Sequence, residues 1–559
     1  MAARRECLSE MNLKTSQQTL AMSTTATNSD TTLNAEAAMH GQHDPKEDTK
    51  EVSAPEQQHT AEETRVYEYI TGLPFGLVMF SVFLVTFLIL LDTSIISTAI
   101  PYITDEFHSL TDVGWYGSAY QLASASLQPL TGKIYTLFPS KWCYLVFFTI
   151  FEVGSLICGV ASTSTMLIIG RAVAGIGSSG IVNGGLTILA NSLPLEKRAI
   201  YTGMLLGFSQ LGMVIGPIIG GVLTEFSTWR WCFYINLPAG GVAGLMLLTI
   251  RIPDQVKKES PELKQLYHKL DLIGFVLFAP APIQLLLALH FGEDAWDSST
   301  VIGLLCGSAA TFALWLVWNW FRGDAALIPL SLASRRPVWT SCITQMCLAT
   351  SALISTYFLP IYFQAVQDRK PLISGLQMLP QIVPQIIFAV LGGILVSKSG
   401  YPIPYATVGG MSVAVGSGLL SLLHDSSPPG QWIGFQVLCG IGRGLGSQMP
   451  IVAMQSIITP SEISSAMSLL TFTQSLGTSV FLTVSNTLLD ETLQDRLGNL
   501  AAEVMAEGAT GFRNIEVPDV VHAYSTGVSH IFYLAAAVGA VSVITAQGMG
   551  WNDVRKKKK

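Results

Sequence analysis

Few charged side chains interrupt the long apolar runs of this chain, and those few are where chemistry can occur. Asp92 follows the run Phe87-Leu-Ile-Leu-Leu91. An ionised carboxylate deep in a bilayer costs about 2.5–3.5 kcal/mol on insertion scales, so it must be protonated, paired or hydrated. One reading is a proton-coupling carboxylate; the other is a helix-packing aspartate bonded to hydroxyls such as Thr93 or Ser94. Glu152 either lines a cavity and attracts cationic compounds or bridges two helices. Arg443 is the one base expected within the membrane in the second half of the chain. It meets anionic groups of a ligand or pairs with a carboxylate elsewhere. Arg171, near a span's outer boundary, is open to snorkelling towards the headgroups.

Uncharged groups supplement these. Gln121, Gln210, Gln381, Gln385, Gln436, Gln448, Asn183 and Asn236 offer hydrogen bonds either to a polar path or between helices. Trp115, Tyr116, Tyr120, Tyr357 and Phe363 could stack on flat organic molecules, although single membrane aromatics more commonly pack or anchor. His290 falls near a helix end, where an interfacial role is expected. Leu211–Thr224 reads LGMVIGPIIGGVLT and concentrates Gly212, Gly216, Pro217, Gly220 and Gly221 in one apolar helix. Small residues three or four apart allow a neighbouring backbone to approach closely.

The elements that must hold these groups follow from composition. Half of the 559 residues are hydrophobic and 12% are charged. Apolar runs of spanning length recur between short polar loops, as in an all-α polytopic membrane protein. Fourteen spans are expected, from Leu73–Thr98 to Val528–Met549, with Trp432–Ile457 twelfth and Ile463–Leu488 thirteenth. With the N-terminus inside, Lys133, Lys141, Lys197, Arg198, Arg251, Arg335, Arg336 and Lys398 fall on inner segments. Outer segments hold Arg230, Arg369, Lys370, Arg496 and Arg513, an asymmetry that fits the positive-inside rule. Both termini are then cytosolic.

The expected organisation is a disordered tail over 1–68 and a six-helix bundle over 69–252. A linker with inserted helices seven and eight covers 253–336. A second six-helix bundle spans 337–549, with an outer loop over 490–527 and a short surface helix around Leu493–Met505, before a basic tail over 550–559. The scattered cysteines read as packing residues rather than a disulfide framework or zinc site. Internal echoes support two parallel halves. Gly175-Ile-Gly177 in helix four repeats as Gly440-Ile-Gly442 in helix twelve, and Gly132-Lys133 after helix two is echoed by Gly393–Gly400 after helix ten. A substrate path would lie between the halves.

These residues reach a specific resemblance. The chain resembles the fourteen-helix drug:proton antiporter branch of the major facilitator superfamily, especially the fungal toxin-efflux type, over about Leu73–Met549. The motifs that carry it are Leu91-Asp-Thr-Ser-Ile-Ile-Ser-Thr-Ala-Ile-Pro101, Arg171-Ala-Val-Ala-Gly175-Ile-Gly177, the Gly/Pro run in helix five and Trp229-Arg-Trp-Cys-Phe-Tyr-Ile-Asn-Leu-Pro238. Thr136 departs from it, standing where many relatives place aspartate, so Lys133, Lys141 and Lys398 are expected to act mainly as anchors.

The resemblance implies a major facilitator fold, two six-helix bundles plus two inserted helices. It implies proton coupling at Asp92 and Arg171, and a substrate path that includes Glu152, Gln121, Gln210, Arg443 and Gln448. The function it implies is export of a small organic toxin, drug or secondary metabolite by proton antiport. A proton-coupled importer of iron chelates or amino acids and a transport-dead sensor are the competing readings. The plasma membrane is the expected location, with a vesicle or vacuole membrane as the alternative. The Gly/Pro helix is expected to pack against the other half and limit proton leakage. No nucleotide loop, metal cluster or nucleophile–base pair is present in the sequence, so neither an enzyme nor a cofactor is expected. Small organic substrate, protons and lipid are the expected partners, without nucleic acid or an obligatory protein.

Overall fold

The computed structural model describes residues 69–108, 112–255, 263–292, 296–369, 371–498 and 518–555. The tail over 1–68, residues 499–517 of the outer loop with all but the start of the expected surface helix, and the last four residues of the basic tail lie outside the described residues. The described chain is helical and contains no strand. Its long helices are α1 (Gly72–Phe107), α2 (Val113–Leu137), α3 (Ser140–Gly159), α4 (Ser164–Ser192), α5 (Leu195–Phe226) and α6 (Asn236–Thr249). Next come α7 (Pro280–Gly292), α8 (Ser299–Arg322), α9 (Arg336–Ile361), α10 (Leu379–Ser399) and α11 (Ile403–Leu420). The series ends with α12 (Pro429–Gly446), α13 (Met449–Ile457), α14 (Ile463–Leu497) and α15 (Pro518–Ala546).

Twelve helical stretches among the described residues are long and apolar enough to cross a membrane. The two other expected spans are helical but fall short of that standard. One is α2, which carries Gln121, Gln128 and several serines and packs between α4 and α14. The other, Trp432–Ile457, is cut into α12 and α13 at Ser447–Gln448, just before Pro450. Proline lacks the N–H that would continue the ladder, so it starts a new helix more readily than it continues one. Two other expected ends move outward. The first helix continues past Thr98 to Phe107, and the thirteenth past Leu488 to Leu497.

Local signals set several starts. Thr163 accepts from the Met166 N–H to cap α4, and Ser298 accepts from Val301 to cap α8. Asp271, at a left-handed φ of 52°, caps the turn of helix that leads into α7. It also accepts from Leu327 N–H and Trp318 Nε1, tying the helices around α7 and α8 together. Pro217 leaves α5 unbroken. Within a membrane, neighbouring helices and hydroxyls re-satisfy the backbone groups that a proline frees.

The helices form two sets with matching internal packing. In the first, α1 lies on α5 and α6, while α4 packs on α2 and α3. In the second, α12 packs on α10 and α11, while α9 contacts α14 and α15. The glycine echoes occupy equivalent places. Gly175 lies against the Tyr120 carbonyl of α2, and Gly440 against the Gln381 carbonyl of α10. Gly177 touches the backbone at Phe151 in α3, and Gly442 touches it at Gly409 in α11. Only glycine allows such backbone approach, which is why the repeat survives as glycine and not as side-chain identity.

The two sets meet along two antiparallel seams near the face that carries Lys133, Lys141, Arg198, Arg335 and Lys398. Along one seam, a methyl group at Gly203 of α5 would stand 2.6 Å from the Ala389 carbonyl of α10, and Gly393 lies against Ile200. Along the other, Gln128 donates to Ser475 at 3.2 Å, Thr136 pairs with Ser465 at 3.4 Å, and Gly132 sits against Ser464 and Ser468. Both echoed turns, at Gly132 and Gly393, therefore serve contact between the sets. At the periphery, α8 exposes Ile302, Leu305, Phe312, Leu314, Val317 and Phe321, a surface suited to lipid tails.

Candidate functional site

The most highly charged buried constellation brings together α1, α4 and α6. Arg171 Nη1 stands 2.6 Å from Asp92 Oδ2, and their side chains are 1% and 0% exposed. Arg171 Nε donates to the Tyr116 carbonyl at 2.9 Å, and the guanidinium lies 4.5 Å from the centre of the Tyr120 ring. The second Asp92 oxygen accepts from Asn236 Nδ2 at 3.0 Å, and the same amide nitrogen reaches Ser155 Oγ at 3.2 Å. Asp92 is thus held at both oxygens, by a cation and by a neutral amide.

This geometry names the partners of both charged groups. Arg171 does not snorkel; it points inward to the carboxylate. Asp92 does not bond to Thr93 or Ser94. Thr93 turns back to the Ile89 carbonyl, and Ser94 donates to Leu91 and to Gly212 of α5. The residue underweighted from sequence is Asn236, grouped there with the other amides. Its place in the Trp229–Pro238 motif was the available signal. The other end of that motif fastens the helix ends: Trp229 Nε1 and Arg230 both donate to Glu106, at 2.7 Å and at 2.7–3.0 Å respectively.

Glu152 of α3 is placed near this network without joining it by a hydrogen bond. Both its carboxylate oxygens are buried without a partner among the described residues, and they lie against Gly240 of α6. Gly240 is one turn beyond Asn236. A side chain at 240 would collide with the carboxylate, so glycine there makes the space Glu152 occupies.

The remaining candidates scatter. Gln121 is exposed on α2 and Gln210 is half-buried on α5. Gln448 sits at the break between α12 and α13, fully buried, and donates to the Ala389 carbonyl at 2.8 Å. Arg443 is 1% exposed on α12 and donates through Nη2 to the Ser351 carbonyl at 2.8 Å and Ser355 Oγ at 2.6 Å. Tyr116, Tyr120 and Phe363 are buried, Tyr357 is exposed, and Trp115 stacks edge-on against His290 at 5.5 Å.

The Gly/Pro helix corrects an expectation. Gly212, Gly216 and Gly220 do not face the second set of helices. A methyl group at Gly212 would stand 2.5 Å from the Phe87 carbonyl. At Gly216 it would meet Ser94, and at Gly220 it would stand 2.8 Å from the Ile95 carbonyl. The four-residue spacing puts all three on one side of α5, and α1 of the same set occupies that side. Contact with the second set comes from Gly203 and Gly207 one to three turns earlier, and from Leu211. Gly221 has nothing within 4 Å of an added methyl group.

Comparison with known proteins agrees with this architecture. The family model described as Major Facilitator Superfamily matches residues 82–482. The MFS-type transporter pigP of Monascus ruber is 50% identical over 502 residues, covering 87% of this chain and 88% of that protein. The efflux pump mlcE of Penicillium citrinum is 46% identical over 511 residues, covering 88% of this chain and 92% of that protein. Among solved structures, the proton:xylose symporter XylE aligns with a TM-score of 0.55 at 13% identity, covering 86% of this chain and 98% of that one. That likeness is one of fold.

Proposed function

Because this chain belongs to the Major Facilitator Superfamily, we propose that it exports a small organic metabolite or toxin from the cytosol in exchange for protons. The names of its relatives support export: one that is 46% identical is called an efflux pump. The family makes it a multi-pass membrane transporter rather than an enzyme. The observation that carries the proton-coupled reading is the buried pair of Asp92 and Arg171.

Charged Asp92 compensates Arg171 and ties α1 to α4. A proton arriving at Asp92 removes that compensation while Asn236 keeps the carboxyl group in place. The arginine is then an uncompensated charge in a low-dielectric interior, a state that favours rearrangement of the helices around it. Release of the proton on the cytosolic side restores the pair. The seams at Gly203–Ala389 and Gly132–Ser468 close the basic face. That is the cytosolic face under the positive-inside rule. Both termini are then cytosolic, and such a closed state suits discharge of cargo outward, most simply at the plasma membrane.

The test is retention of fluorescent amphiphiles in yeast cells that express the full chain. Export lowers retention relative to cells without the chain, and a protonophore abolishes the difference. Raised uptake would overturn the export direction, and indifference to the protonophore would overturn the proton coupling.

A further inference from the structure

Arg443 carries a buried charge that has no carboxylate partner among the described residues. It lies midway along the interrupted span Pro429–Ile457 and is buried. Only Nη2 is satisfied, by the Ser351 carbonyl and the Ser355 hydroxyl. Nε and Nη1 have no acceptor among the described residues. Arg336–Ile361, Leu379–Ser399, Ile403–Leu420 and Pro429–Ile457 are free of Asp and Glu, and α14 and α15 carry theirs only towards the outer ends, at Asp490, Glu491, Asp495 and Asp519. At the depth of Arg443, midway along its span, these helices therefore offer no carboxylate.

The first set provides the contrast. There an arginine on the fourth helix, Arg171, reaches the first helix and finds Asp92. In the second set Arg443, on the fourth helix of the repeat, also reaches the first helix and finds only serines. A buried carboxyl group can escape an unfavourable site by taking up a proton, but arginine stays charged in proteins. No helix of its own set supplies a counter-charge at this depth, and an anion from outside the protein can supply it. A second unsatisfied group shares the same side of α12. Gln436 is fully buried, seven residues before Arg443, and neither of its amide atoms has a partner among the described residues. Seven residues are close to two full turns, so the two side chains share one face about 10 Å apart.

We infer that Arg443 is the anchoring site for anionic cargo, a small amphiphile that bears a carboxylate, with Gln436 positioned for a second polar group of the same molecule. The Ser351 and Ser355 bonds hold the guanidinium until cargo arrives, and two donors remain for the oxyanion. Charge-assisted bonds of this kind are about twice as strong as neutral ones. This inference rests on the export reading for calling the anion cargo; the binding site itself does not depend on it.

Binding to the purified full chain tests it with three probes that share one ring system: 1-pyrenebutyric acid, its methyl ester and 1-pyrenebutylamine. The acid is expected to bind at least tenfold more tightly than the ester or the amine, and to raise the unfolding temperature of the unaltered protein where the ester does not. Arg443→Gln is expected to erase this preference by weakening acid binding at least tenfold, while Arg443→Lys keeps part of it. Equal affinity of the unaltered protein for all three probes would overturn the inference without need of a variant. So would retention of the acid preference by Arg443→Gln. Tight acid binding without export would instead leave the anion site standing and remove the export reading.

Discussion

Asn236 Nδ2 lies 3.0 Å from Asp92 Oδ1, so the carboxylate that pairs with Arg171 is held on its free side by an uncharged donor from α6. An amide can serve both states of its partner, whereas a second cation would fix Asp92 in the charged one. The Asp92 carboxyl group thus keeps one hydrogen-bond partner that does not depend on its charge.

Removing one partner of such a pair strands the other. Asp92→Asn leaves Arg171 buried and uncompensated, at a cost of about 3–5 kcal/mol. Arg171→Gln costs less, because a lone carboxyl group can take up a proton. The double variant Asp92→Asn/Arg171→Gln is expected to recover most of the stability lost in Asp92→Asn. Thermal unfolding of the four proteins in detergent checks this. Additive losses would show that the two groups do not act as a pair.

The glycines of α5 separate by face. Gly216→Leu drives a side chain into Ser94 and the backbone at Ile95 of α1, and is expected to lower stability and abolish export. Gly221→Ala enters open space and is expected to leave both intact. Transport and expression levels of the two variants, measured side by side, decide whether the face or the glycine count matters.

Much of this site was legible in the sequence, and the limits are physical. Depth in an apolar run marked Asp92, because charge is costly there whatever the fold, whereas Arg171, near a span's outer boundary, was marked by the Arg171–Gly177 motif. Spacing could not say which neighbour the Gly212–Gly216–Gly220 face meets, since both α1 and the second set would accept a flat helix. Nor could it separate Asn236 from Gln448. Each is a buried amide two residues before a proline, and only three-dimensional packing brings one to Asp92 and the other to the Ala389 carbonyl. The break between α12 and α13 was hidden because a proline such as Pro450 does not by itself say whether a membrane helix ends there, as Pro217 inside the unbroken α5 shows.

Acid should loosen the outer ends of α1 and α6. Arg230 and Trp229 donate to Glu106 and hold its carboxyl below the ordinary value of 4.5. A carboxylate with a lowered folded value contributes stability that is full above its unfolded value and is lost as pH falls through the folded one. The expected loss therefore lies below pH 4.5. It is small, under about 1 kcal/mol, because the pair is solvent-facing. Unfolding temperatures of the unaltered protein and Glu106→Gln are expected to converge below that pH and to differ above it.

Proton exchange through the Asp92–Arg171 pair is tested most directly in proteoliposomes of the full chain that contain a pH-sensitive dye. An imposed proton gradient is expected to drive uphill movement of an amphiphilic substrate, with proton flow in the opposite direction. The double variant Asp92→Asn/Arg171→Gln is expected to bind substrate and move it only downhill, without proton flow. Uphill transport by the unaltered chain in the absence of a gradient, or gradient-driven transport by the double variant, would contradict the role assigned to this pair.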